Sequence, residues 1–246
     1  MFAINRKSTH LDISTLTRIA NDYPTLVHQA DVYGKMPLHL ALKHVVLQCN
    51  TAPAQALLKA GADPSATDKE GNNALHILSF RFYASESVRS LFTELLSRGL
   101  SINARNNLGE TPIFNLNKII PSNIARYTEP MDSKLTAVEA LSFFEDAGAD
   151  LFARDNEGQG LLHIAAREIV ELNKSDHRLN RLFEMGSKLK PKEKATARFE
   201  VLVGKGLDPL AEDGLKRTSL DVAAACGKES VMKLFEKDGG GGIVKQ

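Results

Sequence analysis

One pattern recurs five times along this 246-residue chain, and its spacing constrains the fold more tightly than any bulk property. Each copy opens on Asp or Asn, passes through a glycine-bearing turn, starts a short apolar helix and ends on a second helix closed by glycine. The copies start Asp31-Val-Tyr-Gly-Lys-Met-Pro-Leu-His-Leu-Ala-Leu42, Asp68-Lys-Glu-Gly-Asn-Asn-Ala-Leu-His-Ile-Leu78 and Asn106-Asn-Leu-Gly-Glu-Thr-Pro-Ile-Phe-Asn-Leu116. The last two start Asp155-Asn-Glu-Gly-Gln-Gly-Leu-Leu-His-Ile-Ala-Ala166 and Asp213-Gly-Leu-Lys-Arg-Thr-Ser-Leu-Asp-Val-Ala-Ala224. Their closing glycines are Gly61, Gly99, Gly148, Gly206 and Gly239.

Each part of the pattern has a physical reason. Apolar residues recur in each first helix as Leu38/Ala41/Leu42, Leu75/Leu78, Ile113/Leu116, Leu162/Ala165/Ala166 and Leu220/Ala223/Ala224. This i, i+3, i+4 spacing gives a short helix one buried stripe. The second helix repeats it, as in Val88, Leu91, Phe92, Leu95 and Leu96. The closing glycines fall where a helix ends in a left-handed residue, and Pro37 and Pro112 fall where a missing N–H costs nothing. Neither helix can hide its stripe alone, so the copies must stack on one another.

The spacings between starts are 37 (31 to 68), 38 (68 to 106), 49 (106 to 155) and 58 (155 to 213), yet each closing glycine stands 7 before the next start (61 to 68, 99 to 106, 148 to 155, 206 to 213). All extra residues therefore lie between the two helices of a unit, never in the connecting turn. Residues 118–136, with Pro121 and Pro130, read as an irregular loop. Residues 168–195, with Ile169, Leu172, Leu179 and Leu182, suit extra helical turns and end in the basic run Ser187-Lys-Leu-Lys-Pro-Lys-Glu-Lys194.

The pattern resembles the ankyrin-repeat family, whose 33-residue unit carries Thr-Pro-Leu-His-x-Ala. The resemblance covers about residues 11 to 239, and arrays with long interhelical inserts are similar to fungal ankyrin-repeat proteins. It implies an all-α solenoid of helix-turn-helix units joined by finger-like turns, with the interhelical inserts at the opposite edge. The expected parts are a half-repeat or cap over 1–30 and repeats over 31–67, 68–105, 106–154, 155–212 and 213–238, with a flexible tail over 239–246. In the half-repeat, Leu16, Ile19, Ala20 and Tyr23 share one helical face and Pro24 marks its end.

Composition narrows the function. Lys+Arg 31 against Asp+Glu 30 leaves a net charge of +1, and Trp is absent, so neither a global field nor stacking platforms favour nucleic acid. Cys49 and Cys226 are far apart, which supports neither a disulfide framework nor a zinc site. No signal peptide or membrane span is expected, so an intracellular protein, cytoplasmic or nuclear, is.

Catalytic chemistry finds no foothold. His39, His76 and His163 recur at one repeat position, but Phe114 and Asp221 interrupt the row. The resemblance gives that histidine a bracing role between turn and helix. Phosphate-loop, zinc-protease and nucleophile-elbow motifs are absent from the sequence. Asp31, Asp68, Asp155 and Asp213 head the turns and suit bonds to turn N–H groups. No cofactor, metal or catalytic residue is expected.

Binding is the expectation that remains: a monomeric scaffold or adaptor that takes another protein in a concave groove. By the resemblance, the fingertip residues are Tyr33, Lys35, Lys69, Glu70, Asn72, Asn107, Leu108, Glu110, Asn156, Glu157, Gln159, Leu215 and Arg217. The first helices add Lys43, His44, Phe80, Arg81 and Arg167. Two alternatives stand beside it: a targeting or regulatory fragment of a larger enzyme, and anionic-ligand binding (nucleic acid or phosphoinositide) by the basic loop Lys188 to Lys194.

Overall fold

The computed structural model describes residues 18–19, 22–48, 50–80, 86–118, 137–168 and 191–236. Among them the regular structure is helical throughout, without strands, as the repeat pattern requires. The chain separates into two compact units, Met1–Ser101 and Ile102–Gln246.

In the first unit a 3-10 helix, Pro24–His28, leads into α1 (Pro37–Gln48) and α2 (Ala52–Lys59), then α3 (Ala74–Ser79) and α4 (Glu86–Ser97). Helix α1 packs on α2, on the 3-10 helix and on α3 of the following repeat; α3 packs on α4. The expected stripes are buried: Leu38, Ala41 and Leu42 on α1 with Leu57 and Leu58 on α2, and Leu75 and Leu78 on α3 with Val88, Leu91, Phe92 and Leu95 on α4 are each under 5% exposed. Each such side chain contributes about 1.5–3 kcal/mol of transfer free energy. At 12 residues, α1 is twice as long as α3 with 6, so the first repeat takes up its interhelical excess as added helix.

In the second unit the repeats contribute α5 (Pro112–Asn117) and α6 (Ala137–Asp146), α7 (Leu161–Glu168) and α8 (Pro191–Gly204), and α9 (Ser219–Ala225) and α10 (Glu229–Glu236). First helices contact in series, α5 with α7 and α7 with α9, and second helices follow, α6 with α8 and α8 with α10. Phe114, Phe144 and Phe199 are fully buried, as are Ile113, Leu161 and Ile164. This is the one-dimensional stacking of a helical solenoid, in which each repeat covers its neighbour's apolar stripe.

Three expectations need correction. Tyr23 is 60% exposed rather than part of a buried stripe, and Pro24 opens the 3-10 helix, whose inward residue is Val27. In the fifth repeat Leu220 is half-buried and Ala224 exposed, since among the described residues no repeat stacks on that face. Residues 191–194 of the basic run form the first turn of α8, with proline at N1, instead of a loop. Leu16, Ala20, Cys49, Arg81, the inserts over 119–136 and 169–190, and the tail from 237 lie outside the described residues.

Candidate functional site

The five connecting turns are built alike, and the atoms of their first residue explain why. In each, that residue's N–H donates to the carbonyl four places on, at 2.8–3.1 Å: Asp31 to Lys35, Asp68 to Asn72, Asn106 to Glu110, Asp155 to Gln159 and Asp213 to Arg217. Its carbonyl accepts from the fourth residue's N–H at 2.9–3.1 Å. Its Oδ1 accepts from the N–H groups of the third and fifth residues at 2.8–3.0 Å. Asn106 does this as well as Asp because the acceptor, not the charge, closes the turn. Around Asp213, burial pushes the carboxyl's pKa up. The N–H of Arg217, its guanidinium and the N–H of Leu215 outweigh that effect and hold the group below its ordinary value.

The fourth turn residue is left-handed throughout, with φ of 71° at Gly34, 78° at Gly71 and Gly109, and 73° at Gly158. The fifth repeat places Lys216 there at φ 61°, a conformation that strains a residue with a Cβ.

The side chains separate by turn position. The third residue points outward in every copy: Tyr33 (67% exposed), Glu70, Leu108 (61%), Glu157 and Leu215 (67%). The fifth residue turns inward. Lys35, Asn72 and Arg217 are half-buried. Glu110 and Gln159, expected at the fingertips, are buried at 4% each. Glu110 takes the Lys118 ammonium at 2.6 Å and the Asn106 amide at 3.3 Å. Gln159 accepts from Arg167 at 3.3 Å and donates to Glu157 at 3.2 Å. The reason is that both backbone groups of the fifth residue bond back into the turn, which aims its side chain at the first helix.

Other expected residues are partly committed. Lys43, Lys69, Asn107, Asn156 and Arg167 are exposed, but the Lys69 ammonium bonds to the Val32 carbonyl and the Asn156 amide to the Asn107 carbonyl. Arg217 places Nε and Nη2 on Asp213 Oδ2 at 3.0 and 2.8 Å. Phe80 is half-buried at the end of α3, and only the backbone of His44 is described.

The recurring histidines are braces, as the resemblance implied. Nδ1 accepts the N–H three residues back in two copies, Met36 to His39 at 3.0 Å and Gly160 to His163 at 3.2 Å, whereas in His76 Nδ1 lies 2.7 Å from the Asn73 side-chain oxygen. With Nδ1 accepting, Nε2–H donates to a carbonyl of the next connecting segment, Ala66 for His39 and Arg217 for His163. Asp221 replaces this with a capping box on Thr218. Phe114 replaces it with apolar packing, and Thr111 Oγ1 beside it is buried without a partner. Among the described residues no three His, Cys, Asp or Glu side chains gather as a metal site, and no helix is long and apolar enough to cross a membrane.

Sequence reading missed three exposed apolar residues, Val32 (76%), Phe152 (65%) and Leu210 (63%). Phe152 and Leu210 stand three places before a turn start, where the earlier copies carry Ser65 and Asn103. Aligning the copies at that position is the signal that would have found them.

Looped turns on stacked helix pairs define an ankyrin-type helical repeat. In keeping with that, the chain is 38% identical over 76 residues, 31% of its length, to an ankyrin repeat protein of Rickettsia felis. It is 31% identical over 120 residues to a fem-1 homologue of Drosophila melanogaster (49% of this chain), and 33% identical over 101 residues to a probable serine/threonine-protein kinase of Dictyostelium discoideum (41%). The matches span 33%, 16% and 11% of those three proteins respectively. No family model matches the chain. These relatives support the ankyrin-repeat family and, in general terms, a role in protein interaction.

Proposed function

We propose that this chain is a non-enzymatic interaction module that holds a partner protein on the outward residues of its turns and the neighbouring ends of its first helices. One observation carries the reading: every turn spends its backbone on the same internal bonds, yet its third side chain is exposed and differs from copy to copy, as Tyr, Glu, Leu, Glu and Leu. A rigid frame with variable exposed residues is what specific recognition needs. Tyr33, Leu108 and Leu215 are anchors of the kind that dominate interface energies. Affinity purification with the wild-type chain and with Tyr33→Ala/Leu108→Ala/Leu215→Ala tests it. The triple variant is expected to lose the bound partners with its melting temperature unchanged. Full retention of every partner would end the assignment to these turns.

The similarity to a kinase, over 41% of this chain but 11% of that protein, supports a second reading in which such an array regulates or targets an enzyme joined to it. Detection of the chain within a longer kinase polypeptide is the measurement that decides for it.

A further inference from the structure

Each connecting segment runs into its turn with alternate residues outward. Before the last two turns the inward ones are the buried Leu151 and Ala153, and the half-buried Pro209 and Ala211; the outward ones are Asp150, Phe152 and Arg154, and Asp208, Leu210 and Glu212. The two segments lie side by side, because Arg154 Nη1 donates to the Glu212 carbonyl at 2.7 Å. Phe152 and Leu210 hold the same place on each, about 10 Å apart at the usual separation of stacked helices. One repeat earlier that place belongs to Asn103, whose amide donates to the Gly148 carbonyl at 2.8 Å and accepts from the Asp150 N–H at 2.9 Å, tying its repeat to the next. Phe152 gives up this clamp and Leu210 has no amide to make one, yet both leave over 60% of a large apolar side chain in water. Within the chain the exchange loses hydrogen bonds and gains no burial.

We propose that Phe152 and Leu210 form a second docking surface, distinct from the turn tips, for a protein segment that carries two apolar side chains flanked by lysine or arginine. The charge on one border specifies the partner. Asp150 and Asp208 are exposed and use one carboxylate oxygen to accept the N–H of Phe152 and of Leu210 at 2.9 and 2.8 Å. Among the described residues neither is in an ion pair with a cation, so two negative charges border the apolar pair. On the far border the Arg154 guanidinium bonds to the Gly158 and Glu212 carbonyls and Glu212 is paired with Lys216, so the negative charge is confined to the aspartate side. A cationic flank on that side is therefore attracted and an anionic one repelled.

Fluorescent 12-residue peptides with a central Leu-Ala-Ala-Leu, flanked by lysines in one set and glutamates in the other, test this on the full chain. The lysine set is expected to bind at least tenfold more tightly. Phe152→Asn should cut that binding at least tenfold without lowering the melting temperature, because it restores the residue type of position 103. Asp150→Asn/Asp208→Asn should erase the preference for lysine, while Leu108→Ala/Leu215→Ala at the turn tips should leave binding intact. Absence of binding, equal binding of both sets, or indifference to Phe152→Asn would overturn the proposal. Loss of binding in the tip variant would also overturn it and would move the site to the turns.

Discussion

At the scale of single residues, three positions depart from the repeat and their costs are readable. Lys216 is left-handed where four other turns use glycine, and the side chain pays about 1–2 kcal/mol for it. Glycine's greater freedom in the unfolded chain offsets part of the gain. Lys216→Gly should therefore stabilise the protein by about 0.5–1 kcal/mol, read as a higher urea midpoint. Thr111 buries a hydroxyl without a partner because Phe114 stands where other repeats carry histidine. Thr111→Val keeps the shape, removes the unsatisfied group and should stabilise by about 1 kcal/mol in the same assay. Asp213 provides a pH test. Its folded pKa is depressed, so its contribution is present above the unfolded carboxyl value and disappears as pH falls through the folded one. Asp213→Asn keeps the turn acceptor but loses the pairing with Arg217. The stability gap between wild type and this variant should be full at pH 7 and close below about pH 4; an unchanged gap at pH 3 would contradict the assignment.

At the scale of elements, the helix ends repeat as faithfully as the turns. After α2, α4, α6 and α8, the closing glycine N–H and the next N–H return to carbonyls of the last turn: Gly61 to Leu58 and Ala62 to Leu57, with the same pair at Gly99, Gly148 and Gly206. Each repeat is thus closed locally, and its link to the next combines backbone bonds between turns, such as Asn156 N–H to the Leu108 carbonyl and Gly214 N–H to the Glu157 carbonyl, with side-chain bonds from histidines, arginines, asparagines and Lys69. Asn103→Ala removes two bonds to the third repeat and should destabilise by about 1–2 kcal/mol in chemical denaturation. These ends and stripes were legible in the sequence because they depend on near neighbours at fixed spacing. The inward course of Glu110 and Gln159 was not, since spacing shows that a residue is in a turn but not which way its Cα–Cβ bond points once both backbone groups are committed.

At the scale of the molecule, scaffold and candidate site use different atoms. Leu108→Ala/Leu215→Ala should leave the denaturation midpoint within error, whereas His163→Ala, which removes one of the bonds from the fourth repeat to the fifth, should lower stability by about 1–3 kcal/mol; binding should respond in the opposite order. The repeat phase, the helical class, the buried stripes and the turn-heading Asp and Asn were all set by the amino-acid order. They follow from local periodicity and from the need of each helix for a neighbour. Only the tertiary structure decided which turn residues face water, that the first repeat spends its extra residues on a longer α1, and that Phe152 and Leu210 lie uncovered side by side. Those outcomes depend on how one repeat seats against the next, and that relation joins residues about fifty positions apart, beyond the reach of any local pattern.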